Sequence, residues 1–478
     1  MTRKVTNYAG CKALVVGLGD TGAACVRWLM ERDAQVRATD SRPEPPHAQR
    51  IREAFPEVAL RLGGFDRTDF EWADLIVASP GVALATPELQ WALEAGKDVA
   101  GDVELFARAI RGKGAKVIAI TGSNGKSTVT SLVGHLCAAV GLDAVVAGNI
   151  GLPVLDALDN RDTLGRCPDV WVLELSSFQL ETTTSLSPDA ATVLNISEDH
   201  MDRYGGLADY AAAKERIFGV KGGPQATCIQ VLNREDPRVM AMARPGHTVW
   251  TFGVEHNEAG DAPPSPLPPA PGHFGLTTRK DRLWLGEGEE TLLPVDKLTI
   301  AGLHNAANAL AALALCRAVG LPYEGLVPAL KTFEGLPHRV QRVTEVAGRT
   351  FYDDSKGTNV GATAAALRGF TVPVVLIAGG DGKDQDFSPL KDAVKNARAV
   401  VQIGRDGPLV AAAIGDACPV QRAETLEAAV ALAFRLSQPG DAVLLSPACA
   451  SWDMFRNYAH RAEVFIAAVR GLEANGVS

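Results

Sequence analysis

Ala119-Ile120-Thr121-Gly122-Ser123-Asn124-Gly125-Lys126-Ser127-Thr128 decides how the rest of the chain is read. The apolar run Val117 to Ile120 predicts a buried strand, and Val129 to Val140 has helical spacing. Strand, glycine loop, Lys-Ser/Thr and helix together make a phosphate cradle. Backbone N–H groups at the loop and helix start face phosphate oxygens, the lysine neutralises charge, and the hydroxyl reaches Mg²⁺. The strict P-loop pattern needs a glycine where Ile120 stands, so only the shorter T-G-S-N-G-K-S-T form is present.

Working outward, short apolar runs recur at Leu14 to Val16, Leu75 to Ala78, Val170 to Leu175, Ala191 to Ile196, Val374 to Ile377, Val400 to Ile403 and Ala442 to Leu445. Ala/Leu-rich helical stretches such as Asn305 to Val319 lie between several of them. This alternation predicts an α/β chain of mostly parallel sheets covered by helices. Ligands of such sheets sit at the carboxyl ends of the strands, so the loops after these runs should carry the chemistry. The length, 478 residues, suggests about three domains. Breaks near Gly101 and near Leu336-Pro337-His338 divide the chain into 1–100, 101–336 and 337–478. The proline-rich run Ala262 to Gly272 reads as an exposed loop of the middle part.

The first part holds Gly17-Leu18-Gly19-Asp20-Thr21-Gly22 after a strand, with Asp40 ending the next one. This G-x-G-x-x-G pattern with a later acid is the dinucleotide fingerprint, and alone it suggests an NAD-dependent oxidoreductase. Any nucleotide diphosphate can use the same helix start, and Ser79-Pro80-Gly81 at another strand end could wall the same crevice. A phosphate loop further on is a feature a dehydrogenase does not need.

Carboxylates cluster downstream of that loop. Leu173-Glu174-Leu175-Ser176-Ser177-Phe178-Gln179 sets Glu174 at a hydrophobic strand end, where a buried glutamate must be paired, protonated or on a metal. Oxygen ligands beside a phosphate loop suit Mg²⁺. Asn195-Ile196-Ser197-Glu198-Asp199-His200-Met201-Asp202 ends another strand with three acids and a histidine. Lys214, in Tyr210-Ala211-Ala212-Ala213-Lys214, reads at face value as an exposed helix lysine.

Composition narrows the class. Hydrophobic residues are 46% and charged residues 22%, ordinary for globular domains. A net charge of −9 disfavours nucleic acid and anionic membranes as partners. The eight cysteines are scattered without a C-x-x-C, which fits reduced thiols in a cytoplasmic protein. The first apolar run ends at once in a glycine loop, so no leader peptide is expected, and no run is long enough to insert in a membrane.

T-G-S-N-G-K-S-T, L-E-L-S-S-F-Q-L-E and N-I-S-E-D-H-M-D-R-Y together resemble the Mur ligases of bacterial cell-wall synthesis. Three runs of the last part resemble the D-glutamate-adding branch: Asp353-Asp354-Ser355-Lys356-Gly357-Thr358-Asn359, Gly379-Gly380-Asp381-Gly382-Lys383 and Ser446-Pro447-Ala448-Cys449-Ala450-Ser451. The resemblance implies a Rossmann-like first domain for a UDP-linked substrate, a central P-loop-type ATPase domain with a mostly parallel sheet, and a Rossmann-like last domain that brings the amino acid. It implies ATP-dependent joining of D-glutamate to UDP-N-acetylmuramoyl-L-alanine by a cytoplasmic monomer. Two Mg²⁺ ions are expected, with Mn²⁺ as a substitute.

The same resemblance assigns expected roles to residues. The crevice would hold uracil and diphosphate through Asp20, Thr21, Asp40, Arg42, Ser79, Pro80 and Gly81, with Asn149 on the muramoyl part. ATP would meet Gly122, Ser123, Asn124, Gly125, Lys126, Ser127, Thr128, Asn305, Arg339 and Asp354. Ser127 and Glu174 would hold one metal ion, and His200 and a carbamylated Lys214 the second. Lys126, His200, Lys214 and Lys356 would be catalytic. D-glutamate would meet His200, Thr358, Lys383, Ser451, Trp452 and Tyr458, the last two departing from the family's leucine and phenylalanine but keeping an apolar wall. A sibling Mur ligase or a folylpolyglutamate synthase would share Lys126, Glu174 and His200 but not Lys383 with S-P-A-C-A-S. An oxidoreductase or nucleotide-sensing protein would need no phosphate loop.

Overall fold

The structure, a computed structural model, describes residues 4–219, 228–254, 267–300, 302–370 and 372–474. Residues 262–266 of the proline-rich run lie outside them. Three sheets follow one another along the chain.

The first has five parallel strands in the order Ala59–Leu62, Gln35–Asp40, Lys12–Val16, Leu75–Ala78, Asp98–Ala100. The chain starts in the middle and winds out to each side, so a crevice opens at the end of Lys12–Val16, where the order reverses. The helix Asp20–Met30 starts there. Gly22 is fixed by sterics, since a Cβ would lie 1.8 Å from the Gly17 carbonyl oxygen.

The central sheet has nine strands. Lys116–Thr121 lies between Val170–Glu174 and Ala190–Val193, all parallel. That placement brings the phosphate loop, Glu174 and the loop after Val193 to one edge, although they are far apart in sequence. The expected strand Ala191 to Ile196 ends at Val193, because the next residues turn to clamp the phosphate loop. Beyond His273–Arg279 the sheet becomes antiparallel through Arg282–Glu287 and Glu290–Pro294. The helix Leu303–Ala318 packs on Lys126–Ala139, and its buried alanines allow the two axes to come close.

The third sheet runs Gln341–Val346, Arg349–Asp353, Ala442–Leu445, Val374–Gly379, Ala397–Ile403, Val420–Arg422, and only its first strand is antiparallel. Arg349–Asp353, Ala442–Leu445 and Val374–Gly379 are neighbours. The D-D-S-K-G-T-N, S-P-A-C-A-S and G-G-D-G-K runs therefore leave one sheet edge side by side. Among the described residues no helix is long and apolar enough to cross a membrane.

Candidate active site

The phosphate loop is shaped from below. Gly122 takes φ +154, and a Cβ there would meet Leu194 Cβ at 2.9 Å. Asn195 clamps the loop from both directions: its Oδ1 accepts the Asn124 N–H at 2.8 Å and its Nδ2 donates to the Asn124 carbonyl at 3.1 Å. Ser123 Oγ donates to the Ser197 carbonyl and accepts the Ser197 N–H, both at 2.9 Å. Gly125, with φ +83, opens the helix Lys126–Ala139, so Ser127 and Thr128 lie in its first turn. Lys126 Nζ donates to the Gly122 and Ser123 carbonyls at 2.8 and 2.9 Å. Burial holds its ammonium below the usual lysine range.

Glu174 is only 1% exposed. Its Oε1 accepts Asn149 Nδ2 at 2.7 Å, and its Oε2 is buried without a partner. A carboxylate oxygen left in this state beside a lysine and a serine hydroxyl fits a hard cation. Among the described residues no trio of His, Cys, Asp or Glu converges on a metal point, so such an ion would take its other oxygens from phosphate and water. His200 adopts φ +59 and lays its ring on Phe178, centroids 4.7 Å apart.

Lys214 is not the exposed helix lysine that its local sequence suggests. It is 1% exposed, donates to the Gly122 carbonyl at 3.0 Å and lies 4.5 Å over the Tyr210 ring. Burial, with the nearby Lys126 charge adding to it, pushes the amine well below the usual lysine range. A neutral amine is a nucleophile, which an ammonium is not.

The third domain closes over this edge. Arg339 Nη2 donates to Ser127 Oγ at 2.9 Å. Burial lifts the Asp354 carboxyl to about 7, although Ser446 Oγ donates to it at 2.7 Å. Burial lowers Lys356 to about 8, and its Nζ lies 3.8 Å over the Tyr458 ring. Between the phosphate loop, Asn305, Arg339, Asp354 and Lys356 lies a cavity of about 180 Å³. Lys383 Nζ binds Asp199 Oδ1 at 2.7 Å. Thr358 is half-buried and Ser451 buried on the same edge. Trp452, next to Ser451, is 69% exposed. The peptide after Ser451 turns its indole to solvent, while Tyr458 meets Lys356 and His338.

The crevice of the first domain is larger, about 790 Å³, and Asp20, Thr21, Asp40, Arg42, Ser79–Gly81 and Asn149 all line it. Asp40 accepts the Leu18 N–H at 2.7 Å and a two-pronged contact from Arg42. Burial alone would raise this carboxyl, but the Arg42 and Leu18 hydrogen bonds outweigh it and hold it low. Ser79 Oγ donates to the Gly17 carbonyl at 2.7 Å, tying two strand ends together. Asn149 lines this crevice and is hydrogen-bonded to Glu174. Sequence reasoning missed His47, which bonds Asp20 at 2.7 Å, and Arg27 and Arg50, which also line the crevice. It also left Asp199, Asn195 and Asn359 without roles; only Asn359 had a local signal, as a helix cap.

Comparisons with known proteins agree along the whole chain. Residues 11–101 match the Mur ligase MurD-like N-terminal domain, 120–316 the Mur ligase middle domain and 338–449 the Mur ligase glutamate ligase domain. A protein of Chromobacterium violaceum named UDP-N-acetylmuramoylalanine–D-glutamate ligase is 55% identical over 470 residues, covering 98% of this chain and 99% of its own. One of the same name from Thiobacillus denitrificans is 55% identical over 490 residues, covering 99% of each. In fold, the chain is similar to the crystal structure of a UDP-N-acetylmuramate–alanine ligase from Thermotoga maritima, with TM-score 0.59 at 18% identity over 96% of this chain and 99% of that one. A pseudomurein peptide ligase type C from Methanothermus fervidus gives 0.58 at 17% identity, over 97% and 99%. The chain belongs to the Mur ligase family.

Proposed function

We propose that this chain joins D-glutamate to UDP-N-acetylmuramoyl-L-alanine with cleavage of ATP, a step of peptidoglycan precursor synthesis. The observation that carries the reading is the convergence of half-buried cations on the phosphate loop beneath the third domain: Lys126 donates to the loop carbonyls, Arg339 to Ser127, and Lys356 lines the same cavity. Full-length relatives with that name support the same reaction. Residues 1–100 would bind the UDP part, 101–336 ATP, and 337–478 the amino acid.

A carboxylate oxygen of the L-alanine stub attacks the γ-phosphorus in line. The bond to the β-bridging oxygen breaks, leaving ADP and an acyl phosphate. Two anions meet in this step, so the work is neutralisation and positioning. Lys126 and Arg339 supply fixed positive charge, and the loop N–H groups orient the phosphates. The amine of D-glutamate then attacks the acyl carbon. It loses a proton, phosphate leaves, and an amide remains. Lys383, Thr358 and Ser451 hold the D-glutamate carboxylates, and Lys356 reaches in from the same domain. The acyl phosphate must be kept from water, which gives the closed third domain its purpose.

Mg²⁺ at Ser127 and Glu174 would supply further neutralisation of phosphate charge, with Mn²⁺ able to substitute. A second ion would sit at His200 and Lys214. Burial favours the neutral form of the Lys214 amine, and that form can add to CO₂, giving a carbamate and releasing a proton, which converts a metal repeller into an oxygen ligand. Asp20, Thr21, Asp40, Arg42 and Ser79–Gly81 bind uridine diphosphate, and Asn149 the muramoyl end. The enzyme works as a cytoplasmic monomer.

The test is phosphate release from ATP with UDP-N-acetylmuramoyl-L-alanine, Mg²⁺ and bicarbonate, comparing D-glutamate with L-glutamate, L-lysine and meso-diaminopimelate. Release with D-glutamate alone is expected. Release with another amino acid would keep the ligase chemistry and overturn the acceptor.

A further inference from the structure

One side-chain amide joins the third domain to the phosphate loop. Asn359 precedes the helix Val360–Arg368, and its Oδ1 accepts the Ala362 N–H at 2.8 Å. Its Nδ2 takes no part in that cap. It donates across the domain junction to Asn124 Oδ1 at 3.0 Å and to Asp199 Oδ2 at 3.4 Å. Asn124 belongs to the phosphate loop and is itself held by Asn195 and Ser197. Asp199 grips Lys383 with its other oxygen. The approach is close: a Cβ on Gly361 would lie 2.9 Å from Ser197 Oγ and 3.1 Å from Asn124 Nδ2.

We propose that Asn359 is a positioning residue that couples the phosphate loop to the amino-acid site. Bonded to Asn124, it fixes the Asp199 carboxylate, and that carboxylate fixes the Lys383 ammonium. The inference rests on the ligase reading above. A lysine held by one carboxylate oxygen can swing with it, whereas a second donor on the other oxygen removes that freedom. The two halves of the reaction come from different domains. The acyl phosphate forms at the phosphate loop, and the amine arrives with the third domain. An error of about 1 Å between them costs roughly a hundredfold in rate. Asn359 sets that spacing only when the domains are closed, so the amino-acid site is complete only over a seated phosphate loop.

Two variants separate this role from the cap. Asn359→Ser keeps a capping oxygen and removes the donor. Asn359→Asp keeps the cap and the shape but turns a carboxylate toward Asp199. Asn359→Ser should melt close to the wild type, and both variants should keep their helix content by circular dichroism. In Asn359→Ser the KM for D-glutamate should rise roughly fivefold to tenfold, the effect of losing one neutral hydrogen bond and a long one to a carboxylate, with the KM for UDP-N-acetylmuramoyl-L-alanine unchanged. Asn359→Asp should show a larger rise, and X-ray scattering of the unliganded protein should show it more extended than wild type. Wild-type KM values in both variants, or an equal rise for every substrate, would overturn the proposal. If the wild type released no phosphate, the ligase reading would fall, while an unchanged radius of gyration in Asn359→Asp would separately refute the coupling.

Discussion

The crevice of about 790 Å³ in the first domain pairs most of its charges within itself, whereas several cations at the junction of about 180 Å³ above the phosphate loop have no carboxylate bonded to them. In the crevice Asp40 is matched by Arg42 and Arg27 by Asp156, and His47 is hydrogen-bonded to Asp20. At the junction Lys126 binds only neutral oxygens, Arg339 binds a hydroxyl, and Lys356 rests on a ring. Glu174, Asp199 and Asp354 do not balance them, and burial keeps Asp354 partly protonated near neutral pH. Half-buried cations without a carboxylate partner are costly. A triphosphate removes that cost, so the junction is built to gain most from a polyanion and the crevice to gain from shape.

The largest test of this contrast is Lys126→Ala. It should lower kcat by roughly a thousandfold or more, as expected for losing a fixed positive charge at the transferring phosphoryl group. Binding of UDP-N-acetylmuramoyl-L-alanine, followed by calorimetry without ATP, should stay within about threefold of wild type, because the crevice is self-contained. An equal loss in both would erase the distinction. Lys214→Ala should follow, with a loss of roughly a hundredfold or more. Short carboxylic acids should restore part of the activity by standing in for the carbamate oxygens; full activity in the variant would sink the assigned role.

The next test concerns an acid beneath the crevice. Asp102 takes a hydrogen bond at 3.3 Å from Gln179, which lines that crevice, and its Oδ1 is buried without a partner. Burial raises its carboxyl to about 6. Below about pH 4 the group is protonated in folded and unfolded chains alike. As pH climbs through about 6, the unfolded chain has already ionised and the folded one resists, so the stability present at low pH is lost. Asp102→Asn does not titrate. Its stability relative to wild type should therefore improve by about 2 kcal/mol between about pH 4 and 7, read from thermal midpoints. A flat difference would show that the acid is not desolvated.

The sequence exposed most of the fold because its chemistry stands at the ends of parallel strands. Thr121, Glu174 and Val193 end neighbouring strands, and each is followed by a motif that can be read locally. What it hid was non-local. The helix Leu207–Glu215 is mostly alanine around Lys214, so no apolar stripe announces which face is buried. Asn359 reads as a cap, but its partners Asn124 and Asp199 come from another domain. The exposure of Trp452 was hidden for a related reason: being next to the buried Ser451 in sequence says nothing about where an irregular turn points a side chain.

Tyr458 gives the smallest effect and bears on the same contrast. Its ring lies under the Lys356 ammonium, one of the junction cations without a carboxylate of its own. A ring face stabilises a partly buried ammonium by about 1 kcal/mol through its quadrupole, and a phenyl ring does this nearly as well as a phenol. Tyr458→Phe should therefore leave kcat and each KM within about threefold of wild type. Tyr458→Leu keeps an apolar side chain but removes the quadrupole, and should cost roughly fivefold in kcat/KM. If Phe fell as far as Leu, the hydroxyl and not the ring would be the working part. The junction would then hold its cation by a hydrogen bond, as the crevice holds its own.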